Sequence, residues 1–131
     1  MSGIKNLIKR EIIMKIAVIG SREIDNIDLK KHLPEECDEI VSGGARGVDT
    51  LAANYAKENG LALTEFLPNY EAFGRSAPLI RNRGIVDYAD GVIAFWDGTS
   101  RGTAYVINYC NKVGKPVKIV RMRRKSSPEI V

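Results

Sequence analysis

Two short runs constrain this chain most: KIAVIG at residues 15–20 and GVIAFW at residues 91–96. Neither alternates apolar with polar residues. A strand that is apolar at successive positions buries both of its faces, which is the habit of parallel sheets covered by helices on each side. The rest of the chain fits that frame. Residues 28–33 read as a short helix stopped before Pro34, and residues 39–42 as a second strand. Residues 48–59 form a helical pattern with Val48, Leu51, Ala52, Tyr55 and Ala56 on one face and Gly60 just past its end. Residues 61–67 read as a third strand closed by Pro68, and 69–77 as a loop. Residues 78–88 read as a helix with Pro78 in its first turn, 102–113 as a helix with Ala104, Ile107 and Cys110 in register, and 116–120 as the last strand. Strands alternating with helices predict an α/β fold. The expectation is a single Rossmann-like domain with a parallel five-stranded sheet in the order 3-2-1-4-5 and helices on both faces.

A chain of 131 residues suits one such domain with one core. The domain is expected over residues 14–120, between an N-terminal extension (1–13) and a basic C-terminal tail (121–131). The extension, MSGIKNLIKREII, is a short extra helix or an upstream addition before a start at Met14; its scattered charges do not suit a signal peptide. The net charge is +4, but Arg121, Arg123, Arg124 and Lys125 lie in the tail against Glu129. Without the tail, residues 1–120 carry 16 basic and 15 acidic residues and are nearly neutral. That balance disfavours a nucleic-acid partner, which calls for a positive surface. No apolar run approaches the roughly 20 residues needed to span a bilayer, so no membrane partner is expected. Cys37 and Cys110 are too few for a disulfide framework or a metal cluster and suggest reduced thiols in the cytoplasm. His32 stands alone on a helix expected at the surface, so it reads as solvated and non-catalytic. Nothing points to a bound metal or cofactor.

The arginines are placed unlike the lysines. Arg22, Arg46, Arg75, Arg81, Arg83 and Arg101 all follow the carboxyl end of an expected strand. Ligands of open α/β sheets bind just beyond those ends, and the guanidinium fork suits phosphate. Arg46, Arg81 and Arg101 are therefore expected to converge on one cleft. Around them lie small, hydroxyl-rich turns. Gly20, Ser21 and Arg22 follow the first strand, where a glycine admits a ligand, a hydroxyl donates to phosphate and an arginine clamps it. The turn SGGARGVD at residues 42–49 offers Gly43, Gly44, Ala45, Arg46 and Gly47 at a helix N-terminus, where unpaired N–H groups and the helix dipole favour an anion. Its spacing is neither the Rossmann nor the Walker A pattern. Asp49 falls in the first helical turn, as a cap or as an acceptor for a ribose hydroxyl. Arg81 and Arg83 are two apart, so they face different ways on a helix. After the central strand come Asp97, Gly98, Thr99, Ser100, Arg101, Gly102 and Thr103, a second candidate phosphate cradle. Asp97 is the carboxylate best placed for catalysis at the switch point between the first and fourth strands.

The ordered set of residues 42–49, Phe73-Gly74-Arg75, Arg81-Asn82 and 94–103 resembles the SLOG superfamily of Rossmann-like domains, most closely its YspA-like subgroup. The match covers about residues 16–120. The resemblance implies a nucleotide or nucleotide-derived ligand, such as a nucleoside phosphate or ADP-ribose, bound by a sensor or weak hydrolase. It also implies a homodimer or larger assembly through the helix carrying Arg83 or the helix carrying Tyr105 and Tyr109. Two relatives within the superfamily define the alternatives. In cytokinin-activating phosphoribohydrolases an Arg-Lys pair and a Pro-Gly-Gly-x-Gly-Thr-x-x-Glu stretch carry N-glycosidic cleavage. Arg81, Gly98, Gly102 and Thr103 match parts of these, but the lysine is Asn82 and no carboxylate follows Thr103 among Ala104, Tyr105 and Val106. DprA, a single-stranded DNA-binding protein, is similar at residues 20–22, 42–49 and 81–83, and would need stacking aromatics such as Tyr70, Phe73 and Trp96.

Overall fold

A computed structural model describes residues 13–123. The expected extension, up to residue 12, and the tail from residue 124 lie outside the described residues. Five strands run β1 (Met14–Gly20), β2 (Cys37–Ser42), β3 (Ala62–Glu65), β4 (Gly91–Trp96) and β5 (Val117–Arg121). All pairings are parallel, in the order β3-β2-β1-β4-β5. The helices are α1 (Leu29–His32), α2 (Val48–Glu58), α3 (Tyr70–Phe73), α4 (Ala77–Tyr88) and α5 (Arg101–Val113). The fold is the single Rossmann-like α/β domain expected, and β5 takes in Arg121, the first residue of the expected tail.

Burial on both sides of the sheet explains the unbroken apolar strands. Along β1 and β4, Ile16, Val18, Ile93 and Phe95 point into one layer with Ile40, Val48, Ala52 and Ala56. Ala17, Ile19, Val92 and Ala94 point into the other, with Val41, Ile85, Val86, Val106, Ile107 and Cys110. Side chains in a strand change sides at each residue, so a strand patterned for one face could feed only one of the two layers. Helix α2 covers the first layer, and α4 with α5 covers the second.

Two local expectations need correction. The stretch 69–77 is not an irregular loop: the Asn69 side chain accepts a hydrogen bond from Ala72 N at 3.0 Å and caps α3, and a 3₁₀ turn (Gly74–Ser76) leads into α4. One helical turn is too short to leave a periodic pattern. His32 is not simply solvated: its ring packs edge-on against Phe95, 5.6 Å between centroids. Burial lowers its pKa, and Lys118 and Lys31 lower it further.

The chain runs β1, β2, β3 outward on one side, then crosses back to lay β4 on the other side of β1. This reversal leaves a crevice beyond the carboxyl ends of β1 and β4. Its wall depends on a close approach of two turns. Gly47 has φ 76° and ψ −126°, and a Cβ there would lie 2.6 Å from the carbonyl oxygen of Arg22 and 2.8 Å from its Cα. Side-chain-bearing residues avoid that conformation, and a neighbouring backbone cannot yield as a flexible side chain does. Gly47→Ala is expected to cost about 2–3 kcal/mol in chemical denaturation. Loss of less than about 1 kcal/mol would show that the turns separate easily.

Candidate functional site

Three turns and one helix close around a cavity of about 420 Å³ at this crevice. The end of β1 and the turn after it supply Gly20, Ser21, Arg22 and Glu23; the turn after β2 and the start of α2 supply Gly43, Ala45 and Asp49; the turn after β4 and the start of α5 supply Asp97, Thr99, Ser100, Gly102 and Thr103. Helix α4 adds Pro78, Arg81, Asn82 and Ile85.

Much of what looked like ligand chemistry holds these turns together. Ser21 is 1% exposed. Its N–H reaches Phe95 O at 3.1 Å, and its Oγ accepts from Asp97 N at 3.2 Å, so it ties the first turn to the third. A Cβ on Gly20 would meet Phe95 O and the Val48 side chain, each at 2.6 Å, so the missing side chain serves packing. Asp97 Oδ1 accepts from Thr99 N and Ser100 N at 2.8 Å and from Thr99 Oγ1 at 3.1 Å. Burial tends to raise its pKa, but these bonds and one from Ser21 outweigh it and hold the carboxyl below the usual range. The candidate catalytic carboxylate therefore shapes the turn that opens α5. Ser100 Oγ caps α5 by accepting from Thr103 N at 3.4 Å and also bonds Thr103 Oγ1 at 3.1 Å.

Arg81 is the arginine at the centre. Its Nη1 donates to Gly43 O at 2.6 Å and Phe66 O at 3.3 Å, and its Nε to Asn82 Oδ1 at 2.8 Å. It thus braces the ends of β2 and β3 while lining the cavity. Arg22 lines it as well. The expected convergence of Arg46, Arg81 and Arg101 holds for Arg81 alone. Arg46, 74% exposed, pairs with Glu23 at 3.6 Å. Arg101 is exposed and stands two residues from Thr103, off the buried stripe of Thr103, Val106, Ile107 and Cys110. Arg75 and Arg83 are also exposed. Gly44, Gly47 and Gly98 sit behind the wall; a Cβ at Gly44 would meet Leu67, and one at Gly98 would meet Arg121.

Asp49 is the one deeply buried carboxylate lining the cavity, 8% exposed. Its Oδ2 accepts from Ala45 N at 3.0 Å. Desolvation raises its pKa, only partly countered by the Ala45 N–H, Arg81 and Arg22. Residues 43–45 close over it, for a Cβ at Gly43 would lie 2.8 Å from Arg81 Nη1 and 3.0 Å from Asp49 Oδ2.

Several wall residues escaped the sequence reading. Ile85 lies one turn beyond Arg81 and Val106 three residues beyond Thr103, so helical spacing could have found both. Glu23 carried no signal beyond its place after Arg22. Arg121, assigned to the tail, lies over the Trp96 ring at 5.6 Å, and the Trp96 indole donates to Ser100 O at 3.1 Å. Trp96 is therefore built into the turn and half-buried, whereas Tyr70 and Phe73 are exposed. Among the described residues, no group of three or more His, Cys, Asp or Glu side chains could hold a metal ion. No helix among the described residues is long and apolar enough to cross a membrane.

The sequence is similar to the Gene 61 protein of Mycobacterium phage D29, 36% identical over an alignment of 84 residues that covers 60% of this chain and 67% of the phage protein. No family model matches, and no solved structure matches.

The raised pKa of Asp49 has a thermodynamic sign. Its folded value lies above the unfolded one, so the charged carboxylate weighs against folding above both values, and that burden lifts as pH falls through the folded pKa. Asp49→Asn is therefore expected to melt at a higher temperature than the native chain at pH 7, with the gap narrowing toward pH 4. A variant less stable at pH 7, or a gap that widens in acid, would show that the charge is well compensated.

Proposed function

This chain belongs to the same family as the phage Gene 61 protein, and from the geometry of its cleft we propose that it binds a nucleotide or nucleotide-derived ligand at the carboxyl ends of β1 and β4. The observation that carries the reading is the opening of α5 into the cleft. Gly102 lines the cavity in the first helical turn, and a Cβ there would meet no atom within 4 Å. That turn has no acidic side chain. It offers backbone N–H groups and the positive end of a 13-residue helix to open space, which suits a phosphate. Ser100 and Thr103 hydroxyls flank the same space, and Arg22 and Arg81 add positive charge. The cavity's size falls within the range of small-ligand sites. The resemblance to the YspA-like subgroup of the SLOG superfamily supports the same class of ligand.

Binding, as in a sensor, is favoured over turnover. Cleavage of an N-glycosidic bond calls for a carboxylate at the anomeric carbon. Asp97 spends Oδ1 on three hydrogen bonds within its own turn, and Ala104, Tyr105 and Val106 follow Thr103. A nucleic-acid role is less favoured, because Trp96 is engaged by Ser100 and Arg121. The buried free thiols of Cys37 and Cys110 accord with a reducing, cytoplasmic setting.

Calorimetry and melting with AMP, ADP-ribose, NAD and cyclic nucleotides test the ligand class. A ligand at 100 times its dissociation constant adds about 2.7 kcal/mol of stability. Gly102→Asp places a carboxylate where the phosphate is proposed, at a helix start that favours acidic residues. It is expected to fold at least as stably and to bind the anionic ligand at least tenfold more weakly. No response to any of these compounds, or undiminished binding by Gly102→Asp, would sink the reading.

For assembly we propose a homodimer through α4 and α5, where Tyr105 and Tyr109 stack at 6.5 Å and Tyr109 donates to Asp87 at 2.8 Å. Light scattering is expected to give twice the chain mass; a monomer at high concentration would exclude it.

A further inference from the structure

The two ends of the cleft differ in kind. At the α5 end the wall offers donors. At the α2 end it offers an acceptor, Asp49, more than nine-tenths buried. Asp49 Oδ2 keeps one hydrogen bond, from Ala45 N, and Oδ1 makes none with the described residues. Neither oxygen is among the fully enclosed atoms that lack a partner, so the carboxylate opens to the cavity it lines. A carboxylate so placed asks for donors that only a ligand or water can supply.

The neighbours restrict those donors. Arg81 and Arg22 act electrostatically on Asp49 in one sense and Glu65 in the other, so two guanidinium groups balance the two carboxylates and the site offers a cationic end of a ligand no net attraction. An anionic end would be repelled by the carboxylate itself. What remains is a neutral group rich in O–H donors. A cis-diol fits best, because two neighbouring hydroxyls can each donate to one carboxylate oxygen. We propose that Asp49 accepts the vicinal hydroxyls of a ribose, so that the cleft selects ribonucleotides over their 2′-deoxy counterparts. This rests on the reading that the α5 end takes the phosphate. With the phosphate at α5 and the sugar at α2, the ligand lies across the switch point from β4 toward β2. The stability cost of keeping a buried charge at Asp49 then has a functional counterpart.

The test compares AMP with 2′-deoxy-AMP, and ribose 5-phosphate with 2-deoxyribose 5-phosphate, on the native chain and on Asp49→Asn. The sugar phosphates remove dependence on the base. The native chain is expected to bind each ribo compound about tenfold more tightly than its deoxy partner, as fits the loss of one hydrogen bond to a charged acceptor. In Asp49→Asn the ratio is expected to drop below threefold, with the melting curve of the free protein showing an intact fold. A native ratio below twofold, or one that survives unchanged in Asp49→Asn, overturns the inference while leaving nucleotide binding in place. If the native chain binds none of the four compounds, this inference fails, and the phosphate reading falls with it when ADP-ribose, NAD and the cyclic nucleotides give no response either.

Discussion

The hydrogen bond from Asp97 N to Ser21 Oγ closes the molecule where it is topologically open. The strands β1 and β4 are neighbours in the sheet, but their connections leave in opposite directions, so nothing in the sheet itself holds the two following turns together. Ser21 does so with both its backbone N–H and its hydroxyl. Asp97, drawn in by that bond, organises Thr99 and Ser100, and Ser100 in turn caps α5. The open N-terminus of α5 faces the cleft because this chain of small polar contacts sets its position. Arg81 performs the matching service on the other side, joining the ends of β2 and β3 through two carbonyl oxygens.

How far the sequence disclosed this can be judged from particular residues. Residues 15–20 and 91–96 announced a doubly covered parallel sheet because burial on both faces leaves no other composition open to them. Helix α2 was legible from the spacing of Val48, Ala52 and Ala56 and from Gly60 after it. The cleft's place followed from topology, and Gly43, Ala45, Asp49, Arg81, Asn82, Ser100, Gly102 and Thr103 all line it. The division of labour among them was not legible. A hydroxyl after a strand reads the same whether it faces phosphate or a neighbouring turn, and Ser21 faces the turn. Gly20 and Gly102 look alike in a sequence, yet one is packed against Val48 and Phe95 while the other borders open space. Arg46 and Arg101 share Arg81's position after a strand, but the partners that fix a long side chain are decided in three dimensions. Glu23 holds Arg46 at the rim.

The two carboxylates show the same point in electrostatic terms. Asp97 looked exposed to chemistry and is stabilised as an anion by donors of its own turn. Asp49 read equally as a helix cap or an acceptor for a ribose hydroxyl, and it is a desolvated anion beside a cavity. Sequence position places a carboxylate in a turn; the count of donors around it decides whether it is satisfied there.

The turns meet through the backbone at every contact: Gly47 lies on the Arg22 backbone, Ser21 N on Phe95 O, the Ser21 hydroxyl on Asp97 N, and the Arg81 guanidinium on Gly43 O. With these contacts in place without a ligand, the proposed ligand would be ordered and would displace water on entry, with no loop left to fold. Encounter would then proceed at ordinary diffusive rates for every compound small enough to enter. Discrimination among them falls to residence time, and a strong binder is one that leaves slowly.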